Sequence, residues 1–164
     1  MGANAGVHTI GVSHCPSFLT RLYNFNGPNT TDPSLDPQYA ELLKQKCPQG
    51  NPSNSNTTVF METKTPFTLD NLYYNEVIAH RGLFTSDATL LTDPNTESSV
   101  AGNSGLHLAE WQQKFVAAMI KMGTIGVLTG NEGGIRPNCR VAKYSLYKLE
   151  ISSLYAPIKE KVNT

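Results

Sequence analysis

From Pro48 to Thr58 the chain reads Pro-Gln-Gly-Asn-Pro-Ser-Asn-Ser-Asn-Thr-Thr. No side chain there can build a core, and neither proline can continue a helix, so the stretch is predicted to be a loop. Gly126 to Val141 is also turn-rich, with Thr129-Gly130-Asn131-Glu132-Gly133-Gly134 at its start. Apolar periodicity is thereby confined to short windows, which predicts a mainly α chain with long loops and little strand. Asp36-Pro37 is a helix start, because Asp can accept the first free amides and Pro fits the first turn. Tyr39, Leu42, Leu43 and Lys46 follow at helical spacing up to Cys47-Pro48. A second helix is predicted from Asp70 to His80, with Leu72, Tyr73, Val77 and Ile78 on its apolar side. Ser86 or Asp87 is placed to cap a short helix through Leu91. The clearest stripe is Leu108, Trp111, Phe115, Ala118, Met119 and Met122, ending at Gly123 as C-cap. Trp111, Phe115 and Met119 are read as core, and Ile135-Arg136 as a short extended piece.

A length of 164 residues is enough for one domain with a core. Thirteen basic and thirteen acidic residues cancel, with a pI near 6.9. That balance argues against nucleic acid and acidic membrane surfaces as partners. The residues from Arg136 onward are mildly basic and read as a solvated tail. No run of apolar residues is long enough to span a membrane. Met1-Gly2-Ala3-Asn4-Ala5-Gly6 lacks the basic start and apolar stretch of a secretory signal, so no signal peptide is expected on this chain. The cysteine count of three is odd, which in a secreted protein means an unpaired thiol or a missing partner. Pairing of Cys15 with Cys47 would leave Cys139 alone. Asn29-Thr30-Thr31 and Asn56-Thr57-Thr58 fit the glycosylation pattern and lean toward a secretory route.

The chemistry-bearing residues are sparse. His8 precedes Thr9 and Gly11 in Val7-His8-Thr9-Ile10-Gly11-Val12-Ser13-His14-Cys15, and Asp87 lies far off in sequence. An iron-ligating histidine works best when its other ring nitrogen donates to a carboxylate, which fixes the tautomer and pushes electron density to the metal. Glu62, Thr65 and Asp70 put hard oxygen donors close together, the chemistry of a calcium segment. The histidines and cysteines match no zinc spacing, and neither a Gly-x-Ser-x-Gly elbow nor a phosphate loop occurs.

An ordered set of motifs adds to this: His8-Thr9-Ile10-Gly11, Cys15, Arg21-Leu22-Tyr23-Asn24-Phe25, Asp36-Pro37, Cys47-Pro48, Thr65-Pro66, Asp70-Asn71 with Tyr73-Tyr74, Gly82-Leu83, Ser86-Asp87, Met119-Ile120-Lys121-Met122-Gly123, Leu128-Thr129-Gly130 and Asn138-Cys139-Arg140. They span most of the chain and resemble the C-terminal, proximal half of the plant secretory (class III) haem peroxidases. The resemblance implies the helical fold of that family. It implies that His8 is the axial ligand of haem b and that Asp87 is its hydrogen-bonding carboxylate. It further implies that Thr9, Glu62, Thr65, Thr68 and Asp70 hold Ca2+, with Thr68 acting through its carbonyl. Glu62 stands where the family usually has Asp, and Met61 where an apolar, often aromatic, side chain packs. Cys15–Cys47 is similar to a family disulfide, and Cys139 to half of another whose partner lies in the N-terminal half.

That N-terminal half carries the distal Arg-x-x-x-His pair in the family, and no such motif occurs here; His80-Arg81 has the wrong order. Met1 to Gly6 stands in place of a helix that leads into the histidine, and Lys143 to Thr164 does not match the family's ending. The expected domains are residues 1–142, a proximal-side peroxidase domain truncated at its N-terminus, and residues 143–164, an atypical tail. The expected function is haem peroxidase, with hydrogen peroxide and small phenolic donors as substrates, serving peroxide removal and the response to oxidative stress. The chain alone is expected to be inactive and to need the missing N-terminal half as partner. The alternative is a non-catalytic haem- or calcium-binding fragment, or a pseudogene product. Localisation is expected to be secreted or vacuolar by resemblance, and an uncovered cofactor face predicts poor solubility.

Overall fold

In the computed structural model, residues 2–141 are described. The tail expected at 143–164 lies outside them. The chain divides into two compact units, 1–123 and 124–164. The first runs α1 (Gly2–Val7), β1 (Val12–His14), α2 (Leu19–Tyr23), α3 (Pro37–Lys46), β2 (Thr58–Phe60), α4 (Tyr73–Ile78), α5 (Thr85–Ala88), α6 (Pro94–Ser104) and α7 (Leu108–Thr124), with single 3-10 turns at Cys15–Ser17, Pro52–Ser55 and Thr89–Leu91. The two strands pair antiparallel, with Val12 opposite Phe60, Ser13 opposite Val59 and His14 opposite Thr58. The class is the expected one, helices and loops with little strand.

At the predicted start of α3, helix and expectation agree. Asp36 Oδ1 accepts the Tyr39 amide at 2.8 Å, and Pro37 opens α3. The helix expected from Asp70 instead starts at Tyr73, because Asp70 is engaged elsewhere: one carboxylate oxygen accepts from Thr9 and the Leu72 amide, the other from Thr65. The helix ends before His80, whose φ of 59° turns the chain back. Asp87 is not a cap either. It sits inside α5, whose N-cap Phe84 has no side-chain bond. Residues 2–7 form a helix, α1, that leads into His8, contrary to the expected departure. α2 and α6 were not expected. α6 opens with a second Asp-Pro start, Asp93-Pro94, and Asp93 Oδ1 accepts the amides of Asn95 and Thr96 at 2.9 and 3.3 Å. It buries only Val100, so it lacks the apolar stripe that periodicity detects. The polar loop from Pro48 is also less open than its composition suggests. Asn54 is buried there and donates to the Pro48 carbonyl at 2.7 Å.

α4 is central and packs on α6 and α1. Tyr73, Tyr74 and Val77 are buried with Phe18, Leu22, Leu43, Leu83, Val100 and Trp111. Each such side chain contributes about 1.5–3 kcal/mol through removal from water. Gly6 of α1 admits the tightest approach. A Cβ there would stand 3.0 Å from the Tyr74 hydroxyl and 3.1 Å from the Phe115 ring. The Trp111 ring stacks on Phe115 at 5.1 Å between centroids and meets Tyr74 edge-on at 6.5 Å. The α7 stripe is therefore core at Trp111, half-buried at Phe115 and Met119, and exposed at Met122, and the helix runs one residue past the expected cap Gly123. Val116 and Ile120, off the stripe, are 55% and 66% exposed. Cys15 and Cys47 are joined by a fully buried disulfide, S–S 2.02 Å, linking the end of β1 to the end of α3.

In the second unit, residues 124–141 make turns through Gly126 and Gly130, both at positive φ, and through the Glu132 and Val141 amides, which donate to the carbonyls of Thr129 and Asn138. No strand forms at Ile135-Arg136, and Ile135 is almost wholly exposed. Cys139 is a free, exposed thiol.

Candidate functional site

His8 stands at the end of α1, its amide donating to the Ala5 carbonyl at 3.1 Å. Its Nδ1 lies 3.2 Å from Oδ1 and 3.1 Å from Oδ2 of Asp87, across 79 positions of sequence. The imidazole is 26% exposed and the carboxylate 3%. The rings of Tyr73 and Phe84 meet the imidazole edge-on, at 5.6 and 5.1 Å between centroids. With Nδ1 donating to a carboxylate, the neutral form of the ring carries its lone pair at Nε2. Among the described residues Nε2 has no hydrogen-bond partner. A cavity of about 1020 Å³ opens beside the ring, bordered by His8, Val7, Phe84, Leu90 and Met122.

This arrangement has the chemistry of a metal-ligating imidazole: a fixed tautomer, a braced orientation and a free nitrogen in a largely apolar recess. The sequence alone names His8 and Asp87 but gives Tyr73 only as an apolar helix position and Met122 only as the last position of the α7 stripe. Tyr73 donates its hydroxyl to Asp87 Oδ2 at 2.9 Å. Burial, with the Asp87 charge beside it, pushes the Tyr73 phenol far above its ordinary pKa, so it stays a donor. No local pattern signals either role; the fold supplies both.

A second polar knot lies next in sequence to the histidine. Thr9, Glu62 and Asp70 are buried. The Thr9 and Thr65 hydroxyls donate to opposite oxygens of Asp70 at 3.1 and 2.7 Å, and the Thr9 oxygen lies 3.5 Å from the Thr68 carbonyl oxygen. Glu62 folds back on its own loop: its carboxylate accepts the Lys64 amide at 2.6 Å, the Thr65 hydroxyl at 3.0 Å and also the Thr65 amide. All five expected ligand positions are linked in one chain of hydrogen bonds. The donors are all oxygen: two carboxylates, two hydroxyls and a carbonyl. Among the described residues no three His, Cys, Asp or Glu side chains cluster as a metal group, and neither carboxylate belongs to an ion pair. Two buried carboxylates without a cationic partner suit a hard cation. Met61, beside Glu62, is buried.

Comparison with known proteins shows the family. A family model described as Peroxidase matches residues 2–104. Peroxidase 5 of Vitis vinifera is 55% identical over 137 residues, which cover 84% of this chain and 41% of that protein. Peroxidase 24 of Arabidopsis thaliana is 46% identical over 144 residues, 85% of this chain and 40% of that protein. Peroxidase 3 of the same plant is 46% identical over 143 residues, 84% and 42%. The chain spans about two fifths of the length of these curated relatives. With the family model covering well over half of its residues, the chain belongs to the peroxidase family.

Proposed function

We propose that this chain is the proximal side of a haem peroxidase, with His8 as the axial ligand of haem b. The observation that carries this is the Nδ1–Asp87 bond at 3.1 Å with Nε2 left free beside a mostly apolar cavity. Haem, when bound, supplies the iron at which hydrogen peroxide is cleaved. Asp87 holds the Nδ1 proton, orients the ring and raises its electron donation. Val7, Phe84, Leu90 and Met122 would give the haem apolar contacts. Thr9, Glu62, Thr65, Thr68 and Asp70 would hold Ca2+, anchoring the backbone at the residue after His8.

Peroxide cleavage also needs an acid/base pair, and general acid–base help is worth about a hundred- to ten-thousandfold in rate. No Arg-x-x-x-His occurs in these residues. Turnover with phenolic donors therefore depends on groups supplied from outside them, and a complementary N-terminal half is the fitting partner. The physiological role proposed is peroxide removal under oxidative stress. The buried Cys15–Cys47 bridge supports an oxidising, secreted or vacuolar location.

Hemin titration tests the reading. The chain should give a Soret band that His8→Ala abolishes, while donor oxidation with hemin and calcium stays more than tenfold below that of a complete relative. Equal hemin binding by His8→Ala would overturn the ligand assignment, and turnover within tenfold would overturn the need for outside groups.

A further inference from the structure

Asp87 has a second partner. Its Oδ2 is shared between His8 Nδ1 at 3.1 Å and the Tyr73 hydroxyl at 2.9 Å. Tyr73 is wholly buried, so no water competes for that bond. The same ring lies edge-on to the imidazole, at 5.6 Å and 86°. Tyr73 thus meets both members of the pair, its hydroxyl bonding the carboxylate and its ring standing perpendicular to the imidazole. It reaches them from α4, an element separate from α5, which carries Asp87.

The backbone is shaped to admit this contact. A Cβ on Gly82 would stand 3.2 Å from Asp87 Cβ and 3.5 Å from the Tyr73 hydroxyl oxygen. Gly82 is itself held, since Arg21 donates through Nη1 to its carbonyl at 2.6 Å. Arg21 is itself buried and fixed by Asp32 at 2.7 Å and Ser34 at 3.2 Å. The chain therefore spends a buried arginine, a glycine and a buried tyrosine around one carboxylate.

We propose that Tyr73 is a positioning residue that, with the Arg21-held Gly82 backbone behind it, locks the Asp87 carboxylate in the orientation that keeps the His8 proton on Nδ1. An aspartate held by imidazole alone can turn about its Cα–Cβ and Cβ–Cγ bonds within its site. A second donor from an independent helix removes that freedom. The consequence is a histidine whose Nε2 lone pair is available before any ligand arrives. The catalytic meaning of this lock rests on the proposed axial role of His8, but the lock itself belongs to the chain alone.

The experiment uses the full chain without hemin, at a pH where the imidazole is neutral. The ring tautomer of His8 is read from nitrogen-15 chemical shifts. Tyr73→Phe keeps the ring and its edge contact but removes the hydroxyl. It should lower the Nδ1–H to Nε2–H population ratio about fivefold, the equivalent of one ordinary hydrogen bond. Gly82→Ala, which keeps the hydroxyl but displaces Asp87, should move the ratio the same way. It serves as the test if Tyr73→Phe does not fold. An unchanged ratio in the folded variants would overturn the proposal. Hemin titration of the parent chain keeps the two readings apart. Loss of the His8-dependent band with a normal tautomer response would sink the axial role and leave the lock standing; the reverse pattern would sink the lock alone.

Discussion

Arg21 Nε lies 2.7 Å from Oδ2 of Asp32, and both side chains are buried. The pair closes the segment between α2 and α3, because the Asp32 amide also donates to the Arg21 carbonyl at 2.7 Å. Removing one partner leaves the other charge buried without compensation. Asp32→Asn should therefore cost about 3–5 kcal/mol in urea unfolding. Burial pushes the Asp32 carboxyl upward, but hydrogen bonds from Ser34 and Arg21 outweigh it and hold the group below its ordinary value. A depressed folded value means its stabilisation is complete above about pH 4, the unfolded range, and is lost as pH falls through the folded one. Melting midpoints of the parent chain should fall more steeply below about pH 4 than those of Asp32→Asn. Parallel slopes would remove Asp32 from the acid response.

The buried bridge makes a separate prediction. Cys15 and Cys47 are 32 positions apart, and Cys139 is the free, exposed thiol. A thiol reagent should titrate one group in the native chain and three after denaturation with reductant. Reductant without denaturant should leave the bridge intact, because both sulfurs are shielded. The reduced protein should be less stable by roughly 3–4 kcal/mol. Immediate reaction of all cysteines in native, reductant-treated protein would contradict the burial.

The oxygen knot around Asp70 predicts a calcium response. Calcium at a hundredfold excess over its dissociation constant should stabilise the fold by about 2.7 kcal/mol, and a chelator should reverse it. Asp70→Asn should abolish the response, since it removes one of two buried carboxylates. Glu62→Asp should keep it. Identical melting of the parent chain in calcium and in chelator would exclude the site.

Local signals were read well where one residue both speaks and acts. Asp36-Pro37 is such a case, since the cap bonds an amide three residues on. The same Asp-Pro signal at Asp93-Pro94 does not by itself predict a helix, because no apolar stripe follows it. Asp70 and Asp87 show where local pattern misleads. Both stand at predicted helix starts, yet their carboxylates bond Thr9 and Thr65 and His8 and Tyr73; of these partners only Tyr73 lies outside what the motif order implies.

By itself the sequence determined the helical class, the start of α3, the loop after Cys47 and, through its motif order, the identity of His8 and Asp87 as a pair. Those depend on short-range propensities or on residue identity. Only the tertiary structure decided that Tyr73 completes the pair, that Met122 borders the cavity, and that α4 begins after Asp70. Each depends on which side chain reaches a buried carboxylate or an open face first, a competition among distant groups that no local pattern encodes.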